Sequence, residues 1–223
     1  MTKTTQTASI TAVLVDAIES TWHAIQERHP DVPEVVVTIG SGSAAKGLKL
    51  GHFAADRWVR GTERVHELFV GGEGLKNGGR DLLGTLLHEA AHGAAQVRGI
   101  KDTSRQGRFH NTKFQAIGKE FGLRLSHNNT QGWSETAVPD ATLSAYGDQV
   151  AQLDAALVAY RITETIGGGR KSNNNGVSAL CDCARKIRVS KAVYEGGPIL
   201  CGLCGTEFRA DDDELTDDDR VEG

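Results

Sequence analysis

The stretch RDLLGTLLHEAAHGAAQVRG, residues 80–99, constrains the fold most. Leu82, Leu83, Leu86, Leu87, Ala90, Ala91 and Ala94 spread apolar side chains around much of a helical wheel. This predicts a helix buried on more than one side, with Gly99 as its C-terminal stop. His88, Glu89 and His92 lie in its middle. Residues four apart on a helix are rotated by about 40° and displaced by one turn, so the two imidazoles converge, while Glu89 lies about 100° further round. Two buried, unpaired histidines would be costly, and a shared metal ion removes that cost. The HExxH spacing is that of a zinc site whose glutamate acts as general base toward water in the open coordination position.

A catalytic zinc site needs three protein ligands and one open position. Metzincin spacing would place a glycine three residues and a histidine six residues beyond His92, where this chain has Ala95 and Arg98, so that class is excluded. His110 and Glu120 remain as candidates for the third ligand. His110 precedes the predicted helix NTKFQAIGKEFG, on a loop able to fold back over the first helix, and is favoured. Glu120 lies inside that helix beside Lys119, a place that also suits a surface carboxylate. His23, His29, His52, His66 and His127 are assigned to packing or to the surface. The residue pattern singles out no group that would neutralise charge on a substrate carbonyl.

Around this core the sequence predicts an α+β fold. Ile10, Val13, Leu14, Ala17, Ile18, Trp22 and Ile25 follow one helix face that ends at Pro30. EVVVTIG, HFAADRWV and RVHELFVGG then read as three short antiparallel strands. VHELFV could lie at the sheet edge beside the site and pair with an extended peptide, or be an ordinary core strand. Asn111 or Thr112 caps the second helix, Gly122 ends it, a loop holds Gly132 and Trp133, and residues 140–164 read as helical again.

At 223 residues and 39% apolar content, the chain can form one well-cored domain with a small appendage. Residues 1–165 are expected to form the main domain, 166–176 a flexible linker, 177–209 a small second domain, and 210–223 a solvated acidic tail in which negative charge is concentrated, leaving the rest of this chain of net charge −4 slightly basic. The first twenty residues, interrupted by Asp16, predict neither a signal peptide nor a membrane span, which suggests a cytoplasmic protein. In a reducing compartment, the close pairs Cys181/Cys183 and Cys201/Cys204 point to metal before disulfide. Four thiolates can hold a structural zinc and stabilise a segment too short for a large core, as in a zinc ribbon. Arg185, Lys186, Arg188 and Lys191 make this segment basic, suited to phosphate contacts with DNA or equally to a solvated face.

LLHEAAHG, then GRFHNTKF, then CDC with CGLCG resemble, in that order, the SprT-like zinc metallopeptidase family, which includes the Spartan DNA–protein crosslink proteases. The similarity spans most of residues 9–209 and is closer to short bacterial or phage members. It implies a minigluzincin-like domain followed by a zinc ribbon. His88, His92 and His110 would hold the catalytic zinc, with Glu89 as acid and base and a protein as substrate. Spartan enzymes also carry strongly basic DNA-binding regions; this chain has only the ribbon and an acidic tail. Two functions are therefore carried forward: a zinc-dependent endopeptidase acting on proteins, some of them DNA-associated, and a non-catalytic zinc-containing module that binds nucleic acid or protein.

Overall fold

The protein is described by a computed structural model covering residues 9–44, 47–163 and 176–210. The expected linker, except Gly176, and the expected tail, except Ala210, lie outside the described residues. The chain divides between Thr165 and Ile166 into two compact units. It is mixed α and β, and among the described residues no helix is long and apolar enough to cross a membrane.

In the first unit, α1 (Ile10–Arg28) buries Leu14, Ala17, Ile18, Trp22 and Ile25 of the stripe expected from its periodicity, while Ile10 and Val13 in its first turn are exposed. Thr21, also buried, satisfies its hydroxyl on the Ala17 carbonyl at 2.8 Å. The chain then turns into β1 (Val35–Gly40), with the Trp22 indole donating to the Pro33 carbonyl at 3.0 Å. A ribbon of β2 (Ser43–Ala44) and β3 (Gly47–Leu48) leads to the hairpin of β4 (Gly51–Arg60) and β5 (Glu63–Gly71).

The strand order is β1-β5-β4, with β1 parallel to β5 and β4 antiparallel to it. This corrects the expectation of three antiparallel strands. β1 and β4 lie at opposite edges of the sheet, so the hairpin returns VHELFV to the centre, alongside β1 and in the same direction. VHELFV is therefore the core strand, with Val65, Leu68 and Val70 buried, and β1 and β4 are the edges.

A 3-10 turn (Gly72–Asn77) precedes α2 (Gly79–Val97). Leu82, Leu83, Leu86, Leu87, Ala90, Ala91, Ala94 and Ala95 are all buried, as the all-round apolar pattern requires. Each leucine withdrawn from water contributes about 1.5–3 kcal/mol, so α2 is the centre of this core. Beyond it lie β6 (Thr103–Ser104), β7 (Phe109–His110), α3 (Thr112–Glu120), β8 (Arg124–Asn128) and β9 (Gly132–Ala137). Their strands form a second sheet, ordered β6-β7-β9-β8. Asn111 caps α3, its side-chain oxygen accepting from Lys113 N at 2.8 Å and Phe114 N at 3.3 Å.

The helical stretch expected over residues 140–164 is two shorter helices, α4 (Asp140–Ala145) and α5 (Gly147–Ala156). The chain leaves helical geometry after Ala156 and Tyr160 is exposed, while Arg161 N donates to the Gly72 carbonyl at 2.9 Å.

Glu73 is fully buried in the turn before α2. Its carboxylate accepts from the Ser43 hydroxyl at 2.6 Å and from the Gly42 and Ser43 N–H groups at 2.7 and 3.2 Å. These bonds, led by that from Ser43, hold its pKa down to about 2, against an ordinary 4.5. A depressed folded-state pKa means that this stabilisation is fully present above pH 4.5 and disappears as the pH falls toward 2. Acid titration of thermal stability should therefore show Glu73→Gln less stable than the parent at neutral pH, with the gap closing across that window. An equal gap at both ends would contradict the assignment.

The second unit contains β10 (Val177–Leu180), β11 (Lys186–Val189), a short helix α6 (Lys191–Glu195) and β12 (Arg209–Ala210), with strand order β11-β10-β12. Its small core is Ala179, Cys181, Cys201 and Phe208. The Tyr194 hydroxyl accepts from Ala210 N at 2.8 Å, tying α6 to the last strand.

Candidate metal centre

α2 presents His88 and His92 on one face, and the chain returns through β7 to bring His110 against them. The three Nε2 atoms form a triangle with sides of 3.2 Å (His88–His110), 3.3 Å (His88–His92) and 3.1 Å (His92–His110). A tetrahedral zinc with nitrogen ligands at about 2.0–2.1 Å would space those nitrogens about 3.3 Å apart, so the triangle has the size of one tetrahedral face.

Proton placement makes the same point. His92 Nδ1 lies 2.5 Å from Asp102 Oδ2, and His110 Nδ1 lies 3.4 Å from the Gln131 carbonyl. Both partners are acceptors, so in the neutral form of each ring the proton belongs on Nδ1 and Nε2 is left to ligate. Two such lone pairs 3.1 Å apart could form no hydrogen bond, and a cation held between them would replace repulsion with coordination. Burial, reinforced by the neighbouring histidines, holds the His88 pKa well below its ordinary value and that of His110 at about 4. These two rings are therefore neutral and available as ligands near neutral pH. The three histidines could hold a metal ion, and the donor set is consistent with zinc.

The triangle rests on Phe114, which is fully buried; its ring centroid is 4.7, 4.5 and 4.6 Å from those of His88, His92 and His110. Asp102 also accepts Asn111 N on its backbone carbonyl at 3.0 Å. One residue thus orients His92 and anchors the start of α3. Carboxylate partners of this kind set a ligand's tautomer and raise its basicity.

Glu89 is buried on α2 beside the triangle, and its Oε2 accepts from Phe53 N of β4 at 2.8 Å. Burial raises its pKa, opposed by His92 and by that hydrogen bond. A carboxylate with a raised pKa is a stronger base, suited to taking a proton and returning it.

Glu120, the other candidate ligand, lies elsewhere: its two oxygens accept from Arg98 at 2.6 and 2.7 Å, and Arg98 Nε reaches Asp31 at 2.5 Å. The histidines assigned to packing or to the surface are engaged outside the triangle. His29 stacks on Phe121, His52 meets Glu67, His66 accepts from Asp56 N, His127 packs against Trp133, and His23 lies beside Glu27.

In the second unit, all four cysteine sulfurs lie within 4.8 Å of one another, with Cys181–Cys183 at 3.2 Å and Cys183–Cys201 at 3.8 Å. Sulfurs bound tetrahedrally to zinc at about 2.3 Å would be about 3.8 Å apart. The thiols compete for protons in this space. The contact with Cys181 pushes Cys183 up to about 12, while the Thr206 hydroxyl draws Cys204 down to about 6. A bound cation allows all four to ionise. Arg185, Lys186, Arg188 and Lys191 are exposed along and beside β11; Arg185 Nη1 also reaches Cys201 Sγ at 3.7 Å, and Lys191 pairs with Glu195 at 3.8 Å.

Sequence reasoning did not single out Asp102, Gln131 or the Phe53 amide, and it placed Phe114 on the packing side of its helix without linking it to the histidines. Asp102 left the clearest trace, as an acidic residue in the polar segment between the two ligand-bearing elements. The chain matches no protein-family model, no curated protein and no solved structure.

Proposed function

We propose that the protein is a zinc-dependent endopeptidase of the SprT-like kind, with a minigluzincin-like domain in residues 1–165 and a structural zinc ribbon in residues 177–209. The observation that carries this reading is the closed triangle of three imidazole nitrogens with a buried carboxylate of raised pKa beside it. Zinc held there would act as a Lewis acid toward the scissile carbonyl and acidify water. His88, His92 and His110 hold the ion, and Asp102 fixes the tautomer of His92.

Glu89, anchored by the Phe53 amide, takes the proton of the attacking water and delivers it to the departing nitrogen. Among the described residues β4 lies at an edge of its sheet, where an extended chain passing the site could add as a further strand, the role first considered for VHELFV.

The exposed basic residues around β11 support DNA as a second partner, held through the ribbon. They equally suit the rival reading, in which both metal sites are structural and the chain only binds. Chelation separates the two activities. A zinc-loaded preparation should cut a disordered protein, stop when a zinc chelator is added and resume when zinc is restored. Cleavage that survives complete removal of the metal would rule the mechanism out.

A further inference from the structure

Two cavities flank the histidine triangle, of about 410 and 550 Å³, and His88, Glu89, His110, Gly51 and Lys49 line both. Of these five, only Lys49 carries a fixed positive charge. Arg80 lines the second cavity alone and is committed to the Val138 carbonyl at 2.5 Å and to Asp140 at 3.1 Å. The Lys49 ammonium has no hydrogen-bond or ion-pair partner among the described residues.

The backbone of this exposed lysine is rigidly placed. Lys49 N donates to the Gly42 carbonyl at 2.8 Å, and the Gly42 N–H donates in turn to the buried Glu73 carboxylate at 2.7 Å. A Cβ at Gly42 or at Gly71 would collide with the Lys49 carbonyl oxygen, so both positions require glycine. A buried carboxylate and two close backbone approaches thus fix the base of a side chain whose head group is uncommitted.

We propose that the Lys49 ammonium neutralises the negative charge that develops on the scissile carbonyl oxygen, making Lys49 a catalytic residue of the reaction. The assignment rests on the endopeptidase reading above. As the water oxygen bonds to the carbonyl carbon, Glu89 takes the water proton and the C=O π pair moves onto oxygen. Lys49 offers that oxygen an N–H and a positive charge and keeps its own proton. When the pair returns, the C–N bond breaks and the Glu89 proton passes to nitrogen, so peptide and water become a carboxylic acid and an amine.

The test uses the zinc-loaded full chain with Lys49→Met and Lys49→Arg, an uncharged disordered peptide, and a phosphinic peptide as the tetrahedral anion. Removing one preorganised donor of this kind lowers kcat by about 10²–10³-fold. Lys49→Met should show that loss with KM little changed and the zinc count intact. Its affinity for the phosphinic peptide should fall in parallel. Peptide bound to Glu89→Gln should bind equally well to the Glu89→Gln/Lys49→Met double variant, and Lys49→Arg should recover part of kcat. An unchanged kcat in Lys49→Met overturns the assignment. So does a defect confined to KM and to peptides with acidic side chains, which would make Lys49 a side-chain subsite. In both of those cases the parent still cuts, and the endopeptidase reading stands. A zinc-loaded parent that neither cuts peptides nor binds the phosphinate would sink both.

Discussion

Glu89→Gln is expected to keep two metal equivalents per chain and to lose peptide hydrolysis by about 10²–10⁴-fold, the usual contribution of a positioned general base. The carboxylate belongs to none of the three imidazole contacts that define the metal position, so its loss leaves the ligand set whole. Glutamine preserves the side chain's size, and its amide oxygen can still accept from the Phe53 amide, now 2.8 Å from Glu89 Oε2. Glutamine cannot hold a proton between water and the leaving nitrogen. A kinetic defect without metal loss is therefore the signature of the proposed role, whereas loss of zinc would make Glu89 a ligand or a structural support.

The second large effect is at the third ligand. His110→Ala should reduce the metal content from about two ions per chain to about one, because a catalytic zinc site needs three protein ligands. Glu120→Ala should keep both ions, since its carboxylate is bound to Arg98 and lies outside the triangle. Metal analysis of the two variants side by side decides between the candidates that the sequence left open. If Glu120→Ala loses an ion and His110→Ala does not, the site has been assigned to the wrong residue.

The parts of the site legible in the sequence are those set by local geometry. The four-residue spacing of His88 and His92 determines a shared helix face. The apolar surroundings of that spacing forecast the burial of α2, in which Leu83, Leu86 and Leu87 are wholly enclosed. Asn111 was readable as a cap for the same reason. The cysteine pairs were readable as a possible metal site because, in a chain read as cytoplasmic, close pairing points to metal before disulfide, and their four sulfurs lie within 4.8 Å of one another.

Long-range contacts were harder to read. The parallel pairing of β1 with β5 depends on β1 and β4 taking opposite edges of the sheet, which no local pattern encodes. The β8–β9 hairpin was missed because RLSHN and GWSETA are polar and partly exposed on both faces, leaving little of the alternation that marks a half-buried strand. That hairpin delivers the Gln131 carbonyl to His110, and its absence from the sequence reading hid one of the groups that set the ligand tautomers. Asp102 was hidden in the same way, since its partner His92 is ten residues away and meets it only after the chain has turned back.

The most direct measurement of the central claim is the appearance of new amino termini when a disordered protein is incubated with purified full-length chain carrying two zinc ions. The account predicts cleavage at internal peptide bonds by the parent and almost none by Glu89→Gln of equal zinc content. Cleavage at the same rate by both, or none by the fully metallated parent, would contradict it.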